Sequence, residues 1–331
     1  MKWRLAMVMV VVFIASIAVT GCSNAMGQGN VHKVGMLVEH TVQDQVWGKK
    51  GYLGLLDIKE ELGVDVYFKQ HIQNKEAAQK AVEEFSNEGV NLVFGHGSSF
   101  GKYFDELQEE YPDIHFIFFN GNDRGENITS LNFDSHAMGF FGGMVAAGMS
   151  ETNHVGVVGA YEWQPEIEGF YEGAKYQNTD VDISIQYVNS WDNSARAKLL
   201  FKEMKLDNVD VFYPAGDGFN VPLMETIKEN ELQAIGYVSD QSNFGDQTVL
   251  TSTIQHVDRL YLQAAKQFHK GELPEGVLTY DFQEDAISLG EFSSTVPDSL
   301  QKKVVQAVET YKESGKLPNE TNKDMSSNKK K

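Results

Sequence analysis

Short apolar runs of strand length alternate along the chain with longer segments whose apolar residues recur at helical spacing. The first unit predicts a strand at 32–39, a helix at 45–63 that ends at Gly63, and a strand at 64–70. The same alternation predicts further strands at 91–97, 114–121, 128–134, 154–161, 181–188, 209–216, 233–239, 249–255, 276–282 and 286–292. Helices are predicted between them at 75–89, 100–112, 135–150, 165–177, 194–207, 220–231, 256–271 and 298–315.

Alternating strands and helices with apolar strands indicate parallel sheets that are covered on both faces. The predicted strand–helix units are too many for a single sheet. We therefore predict an α/β protein with two doubly wound lobes joined by hinge strands. Lobe 1 is expected at 31–126 plus about 250–276, and lobe 2 at 127–249 plus about 277–318. A single barrel of about eight strand–helix units is the alternative, but the polar connection at 121–127 fits it less well.

The N-terminus predicts export. Lys2 and Arg4 precede an apolar run at 5–19 that ends in small residues, which is the layout of a signal peptide. A short transmembrane anchor is the alternative. The residues VTGC resemble a bacterial lipobox, which makes 1–22 a lipoprotein signal and the Cys22 thiol the lipid acceptor. Two acyl chains suffice for stable anchoring, so we expect a protein anchored at the extracytoplasmic face of the cell membrane.

Composition narrows the possible partners. A formal net charge of −19 in 331 residues argues against direct nucleic-acid binding, which needs clustered Lys and Arg. The small polar segment 23–30 reads as a flexible tether. The charged segment 319–331 is expected to be a disordered tail.

No familiar catalytic motif is present, neither HExxH, CxxC, GxSxG nor a Walker loop. We therefore expect a non-enzymatic protein without a cofactor or a metal site. The stretch HGSSFG leaves a hydrolase with a His96–serine pair as an alternative. Its other interpretation is a strand-to-helix turn in which Ser98 or Ser99 caps the helix.

Candidate ligand-binding residues stand where predicted strands end, which is where open α/β sheets place ligands. They are His96 between two glycines, Asn120, Asp217 and Phe219 in PAGDGFNVP, and Asp240. Capping or turn formation is the alternative role for Asp217, and core packing is the alternative for Phe219.

Three tryptophans also follow predicted strand ends. Trp47, Trp163 and Trp191 are each explained by packing when taken singly. Together they suggest an aromatic-lined cleft. The glycine-rich helix at 138–149 is too short to span a membrane, and we attribute its glycines to close helix–sheet packing.

Five stretches together resemble the basic membrane protein family of bacterial substrate-binding lipoproteins, which includes purine-nucleoside receptors. They are VWGKKGYLGLLDI, NLVFGHGS, MGFFGGMVAAGMSETNHVGVV, YPAGDGFNVP and AIGYVSDQS with VLTST. The resemblance implies a type I periplasmic-binding fold, a small ligand in an interlobe cleft and an ABC permease as partner. It extends to members described as positive regulators of competence genes, which implies an indirect sensor as the alternative role.

The resemblance also implies roles for single residues. Trp47 and Phe219 match the aromatic residues that sandwich the base, Asp44 approximately matches a carboxylate after the first strand, and Asp240 matches the ribose ligand. Three positions depart from the family pattern. Asn120, Gly48 and Gln255 stand where the family has Asp, Asn and Lys. Asn120 and Gln255 remain candidate ligand contacts, but with different recognition chemistry.

Overall fold

A computed structural model describes residues 29–43 and 45–320. The predicted signal peptide, Cys22 and Asp44 lie outside the described residues. The strands are β1 Lys33–Leu37, β2 Asp65–Lys69, β3 Leu92–Gly95, β4 His115–Phe119, β5 Ile128–Phe133, β6 His154–Gly159, β7 Asp182–Tyr187, β8 Val211–Ala215, β9 Gln233–Val238, β10 Val249–Gln255, β11 Gly276–Tyr280 and β12 Ile287–Leu289. The helices are α1 Val46–Leu62, α2 Lys75–Asn87, α3 Ser99–Leu107, α4 His136–Met149, α5 Pro165–Gln177, α6 Ser194–Leu206, α7 Asp217–Glu229, α8 Val257–Lys270 and α9 Asp298–Ser314, and a 3₁₀ turn covers Ser242–Phe244.

The strands form two six-stranded sheets, in the orders β11-β5-β4-β3-β1-β2 and β12-β10-β9-β8-β6-β7. All pairings in the first sheet are parallel. The second sheet is parallel except for β12, which pairs antiparallel with β10. The predicted α/β class with two doubly wound lobes is therefore confirmed, and the single barrel is excluded.

The chain passes between the sheets three times: after β5, after β10 and between β11 and β12. Neighbouring crossings are hydrogen-bonded to each other. Asp134 N–H donates to the carbonyl of Tyr280 at 2.9 Å, and His256 N–H donates to the carbonyl of Ala286 at 2.8 Å. The three crossings therefore form one hinge rather than three independent linkers.

Three strands, β5, β10 and β11, lie in the opposite lobe from the one that the sequence predicted. Strand β5 was expected in lobe 2, but it pairs with β4 in the first sheet, with Phe116 opposite Ile128. Strand β10 was expected in lobe 1, but it pairs with β9 in the second sheet. Strand β11 likewise joins the first sheet through β5. Chain order could not show these long-range pairings, so the crossings fall later than predicted.

The ends of the predicted tether and tail take part in the folded structure. Asn30 N–H donates to the carbonyl of His269 at 3.0 Å. Asn319 Nδ2 donates to Glu172 at 2.9 Å, beside Leu317, which is buried. Among the residues that the structure describes, no helix is long and apolar enough to cross a membrane.

Helix α4 packs against a helix as well as against a sheet. Its glycines Gly139 and Gly143 face α5, where a Cβ at Gly143 would overlap the carbonyl oxygen of Phe170. Gly142 faces the second sheet, where a Cβ would lie 3.3 Å from Ile235 and 3.4 Å from Thr253. The predicted helix–sheet packing thus accounts for Gly142, whereas helix–helix contact accounts for its neighbours.

This packing predicts different effects for two adjacent substitutions. Gly143→Ala forces α4 away from the α5 backbone, so we expect it to lower the free energy of unfolding by about 1–3 kcal/mol relative to Gly142→Ala. Both variants gain the same helix propensity, which makes Gly142→Ala the matched control. Urea denaturation measures the difference, and equal stability of the two variants would contradict the close α4–α5 contact.

Candidate functional site

The first turns of two helices from different lobes meet at the cleft between the sheets. Helix α1 follows β1 of lobe 1, and helix α7 follows β8 of lobe 2. The N–H of Trp47 donates to Oδ1 and Oδ2 of Asp217 at 3.1 and 3.2 Å. Two candidates that stand 170 positions apart in the sequence are therefore in direct contact.

The indole of Trp47 lies on the imidazole of His96. Their ring centroids are 5.1 Å apart with an interplanar angle of 25°, which is a stacked arrangement. Phe119 and Phe133 meet the indole edge-on at 5.9 and 5.8 Å. Trp47 stays half-buried in this aromatic group, in which the sequence analysis had selected Trp47 and His96 but not Phe119 or Phe133.

Both ring nitrogens of His96 have partners. Nε2 lies 2.8 Å from the carbonyl oxygen of Trp47, and Nδ1 lies 2.9 Å from the hydroxyl of Tyr261. Since a carbonyl only accepts, Nε2 must carry the proton and Nδ1 must accept from Tyr261. Burial lowers the pKa of His96 to about 4, which keeps the ring neutral at physiological pH.

The serines beside His96 play neither of their predicted roles. Ser98 precedes α3 without a side-chain cap, and the hydroxyl of Ser99 donates to Glu39 instead. Because the nitrogens of His96 bind Trp47 and Tyr261, the His96–serine pair that a hydrolase needs is not formed. The cap fails because Ser98 has helical rather than extended backbone angles, with φ −68° and ψ −28°.

A glycine brings α1 onto this histidine. A Cβ at Gly51 would overlap the imidazole of His96, which its two hydrogen bonds hold in place. A Cβ at Gly54, one turn later, would likewise overlap Tyr261 and Asp258 of α8. Gly51 and Gly54 therefore lie on the face of α1 that packs against His96 and α8, whereas Gly48 faces the loop at Thr41 and Val42.

Asp217 is 8% exposed and lies in the first turn of α7. Burial raises its pKa to about 7, while hydrogen bonds from the N–H groups of Trp47 and Val46 oppose that rise. The predicted helix began at residue 220. It begins at Asp217 instead, and this places the carboxylate where both helix N-termini favour a negative charge.

A second interlobe hydrogen bond lies beside the hinge. Lys50, one turn after Trp47 on α1, donates from Nζ to the carbonyl oxygen of Gln255 at 2.8 Å. Burial lowers the pKa of Lys50, and the charge of Asp258 partly opposes this. Gln255 thus takes part in the site through its backbone. The sequence analysis missed Lys50, although its position three residues after Trp47 places it near Trp47 on the helix surface.

The remaining candidates differ in exposure. Asn120 follows β4 with φ 58° and is exposed, as is Asp240, whose Oδ1 accepts the Ser242 N–H at 2.9 Å. Phe219 is fully buried in the core of lobe 2. Its expected role as a second stacking aromatic is wrong for this conformation, because the early start of α7 turns the ring inward against Gly216.

Lobe 2 presents an aromatic trio of Tyr161, Trp163 and Trp191. Tyr161 and Trp163 stack with centroids 5.6 Å apart, and Trp191 meets them edge-on at 5.4 and 5.8 Å. Trp163 is 65% exposed. The carbonyl of Trp191 accepts the Gly218 N–H at 2.9 Å, which places the trio next to the first turn of α7. The sequence analysis had selected both tryptophans but not Tyr161.

A buried carboxylate that the sequence analysis missed supports this side of the cleft. Glu166 accepts hydrogen bonds from Ser135 at 2.6 Å and from Tyr237 and Gln164 at 2.8 Å each. Ser135 directly follows the first crossing of the hinge, so the network links the hinge to α5 and β9. The sequence signal was weak because an acidic residue in the first turn of a helix is common.

Two surface depressions, of about 360 and 220 Å³, lie away from this contact. The first lies along α8 around Arg259 and Lys266, and the second lies between β12 and α9 around Leu289 and Val308. Across residues 29–43 and 45–320, no cluster of His, Cys, Asp or Glu could hold a metal ion. In this conformation the protein's own groups fill the point where the two helix starts meet.

The sequence that folds into these two lobes matches a known protein family. The model of the Bmp family, ABC transporter substrate-binding protein PnrA-like, matches residues 31–321. The chain belongs to this family. The family is described as one of substrate-binding proteins, and the family resemblance drawn from the sequence is confirmed.

Individual Bmp relatives differ in what their names describe. The chain is 44% identical over 310 residues to the transcriptional activator protein med of Bacillus subtilis, covering 94% of this chain and 98% of that one. It is 24% identical to the ABC transporter nucleoside-binding protein BmpA of Lactococcus lactis, covering 78% of each. A crystal structure described as a transcriptional activator of the comK gene from Bacillus halodurans is 49% identical with a TM-score of 0.82, covering 86% of this chain and 99% of that one.

The environment of His96 predicts how this residue titrates. We expect its ring to protonate near pH 4 and to carry its proton on Nε2 above that pH, because burial disfavours the charged form. NMR of ¹⁵N-histidine-labelled protein measures both properties, and Tyr261→Phe is the control that removes only the acceptor interaction at Nδ1. Protonation near the ordinary value of about 6.5 would contradict a buried site.

Proposed function

We propose that the protein is an extracytoplasmic solute-binding lipoprotein that takes a nucleoside-like ligand between its lobes and delivers it to an ABC permease. Membership of the Bmp family is the observation that carries this proposal. The name of the Lactococcus relative supports a nucleoside, and the lipobox at Cys22 supports a membrane anchor.

The residues at the cleft suit such a ligand in chemical terms. Trp47 offers an aromatic surface for a base, and the exposed carboxylate of Asp240 can accept hydrogen bonds from ribose hydroxyls. The trio on lobe 2 supplies a second aromatic surface in place of the buried Phe219. Asn120 and Gln255 change the polar partners relative to the family pattern, so we propose the class of nucleosides rather than a particular one.

A second candidate function is positive regulation of competence genes by an indirect route. The names of the Bacillus subtilis relative and of the Bacillus halodurans structure favour it. The net charge of −19 disfavours contact with DNA. We propose that such a regulator would sense a ligand outside the membrane and act on transcription through another protein.

Removing the indole of Trp47 tests the ligand class. We expect Trp47→Ala to weaken binding of inosine, adenosine or guanosine by roughly 5- to 150-fold, because stacking on a base contributes about 1–3 kcal/mol. Trp47→Phe keeps an aromatic surface and is the control, with isothermal calorimetry as the measurement. If folded wild-type protein gives no heat with any of the three nucleosides, the proposed ligand class is wrong.

Replacing the single cysteine tests the anchor and the regulatory role in one strain series. We expect Cys22→Ser to abolish incorporation of labelled palmitate, because Ser lacks the acceptor thiol, whereas Ser23→Ala retains it. A competence-gene reporter is read in the same strains and in a deletion strain. Labelled palmitate on the Cys22→Ser variant would rule out this anchor site, and an unchanged reporter in the deletion strain would rule out the regulatory role.

A further inference from the structure

Among the described residues, none of the segment just before α1 caps its N-terminus with a side chain. Gln45 precedes the helix without a side-chain hydrogen bond. Among the described α-helices, only α2 and α6 have a side-chain cap, from Asn74 to the Ala77 N–H at 2.9 Å and from Asn193 to the Arg196 N–H at 3.1 Å. A helix start leaves its first N–H groups without intrahelical partners, so those of α1 are free to bind an acceptor from elsewhere.

The other lobe supplies that acceptor. Both oxygens of Asp217 lie within hydrogen-bond distance of the Trp47 N–H, and the Val46 N–H also contacts this carboxylate. Asp217 is 8% exposed, so water screens the interaction poorly. Hydrogen bonds from N–H groups to a carboxylate are among the stronger ones in proteins. This cap therefore also acts as a tie between the lobes.

We propose that Asp217 is an internal ligand of the cleft, whose carboxylate holds the start of α1 and keeps the two lobes closed when no solute is bound. The point of contact is where α1 and the trio on lobe 2 face the same gap. On the proposed function, a solute that enters between the lobes has to displace Asp217 from α1. The residue thereby sets the apparent affinity for that solute.

The other interlobe hydrogen bond cannot serve this purpose. Lys50 binds the carbonyl of Gln255, the last residue of β10 and the neighbour of the hinge crossing at His256. A bond beside the hinge axis changes length little when the lobes separate. Among the hydrogen bonds described here, the Asp217 contact is the one that opening would break.

Lobe separation can be measured without any solute. The full chain carrying Cys22→Ser is labelled with spin probes at Lys102→Cys on α3 and Lys202→Cys on α6, two exposed positions in different lobes. We expect one short distance with Asp217 present and a longer or broadened distribution for Asp217→Ala. Pulsed electron spin resonance gives both. An unchanged distribution for a folded Asp217→Ala protein would overturn the proposal.

Two control variants separate this effect from general damage. Asp217→Asn keeps an amide oxygen that can cap α1, so we expect it to stay closed. Asp240→Ala removes a carboxylate whose hydrogen bond stays within lobe 2, and we expect it to stay closed as well. Opening of the Asp240→Ala protein to the same extent would overturn the assignment to Asp217, and circular dichroism verifies that each variant is folded.

Measuring solute binding tests whether a solute competes with Asp217 for the start of α1. This test rests on the proposed function. With inosine as probe, we expect Asp217→Ala to bind at least about threefold more tightly than the wild type, because no internal carboxylate has to be displaced. Weaker binding by Asp217→Ala would overturn the competition. Absence of inosine binding in every variant would count against the proposed function, whereas the distance measurement still decides whether Asp217 closes the cleft.

Discussion

The pairing of strands that are distant in sequence is the constraint on which the rest of the structure depends. Strand β11 completes the first sheet beside β5, and β12 completes the second sheet beside β10. Neither lobe is a continuous piece of chain, so neither can close its sheet until the last third of the sequence is in place. The same pairings bring the three crossings together and thereby define a hinge.

Helix α1 contacts both lobes and the hinge. Its glycine face lies against His96 and Tyr261, its first turn binds Asp217, and Lys50 reaches the hinge at Gln255. Trp47 is held at both ends, because its backbone N–H binds Asp217 of lobe 2 and its ring stacks on His96 of lobe 1. A rotation of lobe 2 would therefore change the surroundings of Trp47.

Local patterns in the sequence predicted nearly every strand and helix, because periodicity and caps depend on neighbouring residues. The wrong assignments were those that depend on partners far along the chain, namely the sheet to which β5, β10 and β11 belong. For the site, the sequence predicted Trp47, His96 and Asp217 as ligand contacts, and the structure brings these three residues together. Their mutual contacts were not predictable, since the stacking of His96 on Trp47 requires Gly51 to bring α1 close.

Two residues show what local sequence patterns cannot predict: Phe219 was expected at the site but is buried, and Lys50 was not expected there but contacts it. Helix α7 begins three residues earlier than predicted, and in it the side chain of Phe219 lies in the core. Lys50 lies one helical turn after Trp47, and its Nζ therefore reaches the site. Both outcomes depend on the rotation of a helix about its axis. Composition and spacing do not fix that rotation when one helix carries glycines and aromatic residues on several sides.

Burial acts on the two central ionisable groups with opposite signs. For His96 the folded pKa of about 4 lies below the ordinary value of about 6.5, so its contribution to stability is present above pH 6.5 and is lost as the pH falls towards 4. For Asp217 the folded pKa of about 7 lies above the ordinary value of about 3.9, so its contribution is present at low pH and is lost as the pH rises through 7. The two effects oppose each other between about pH 4 and 6.5. Because His96 lies within lobe 1 whereas Asp217 joins the lobes, a change of pH acts on the packing of α1 through one group and on the interlobe contact through the other.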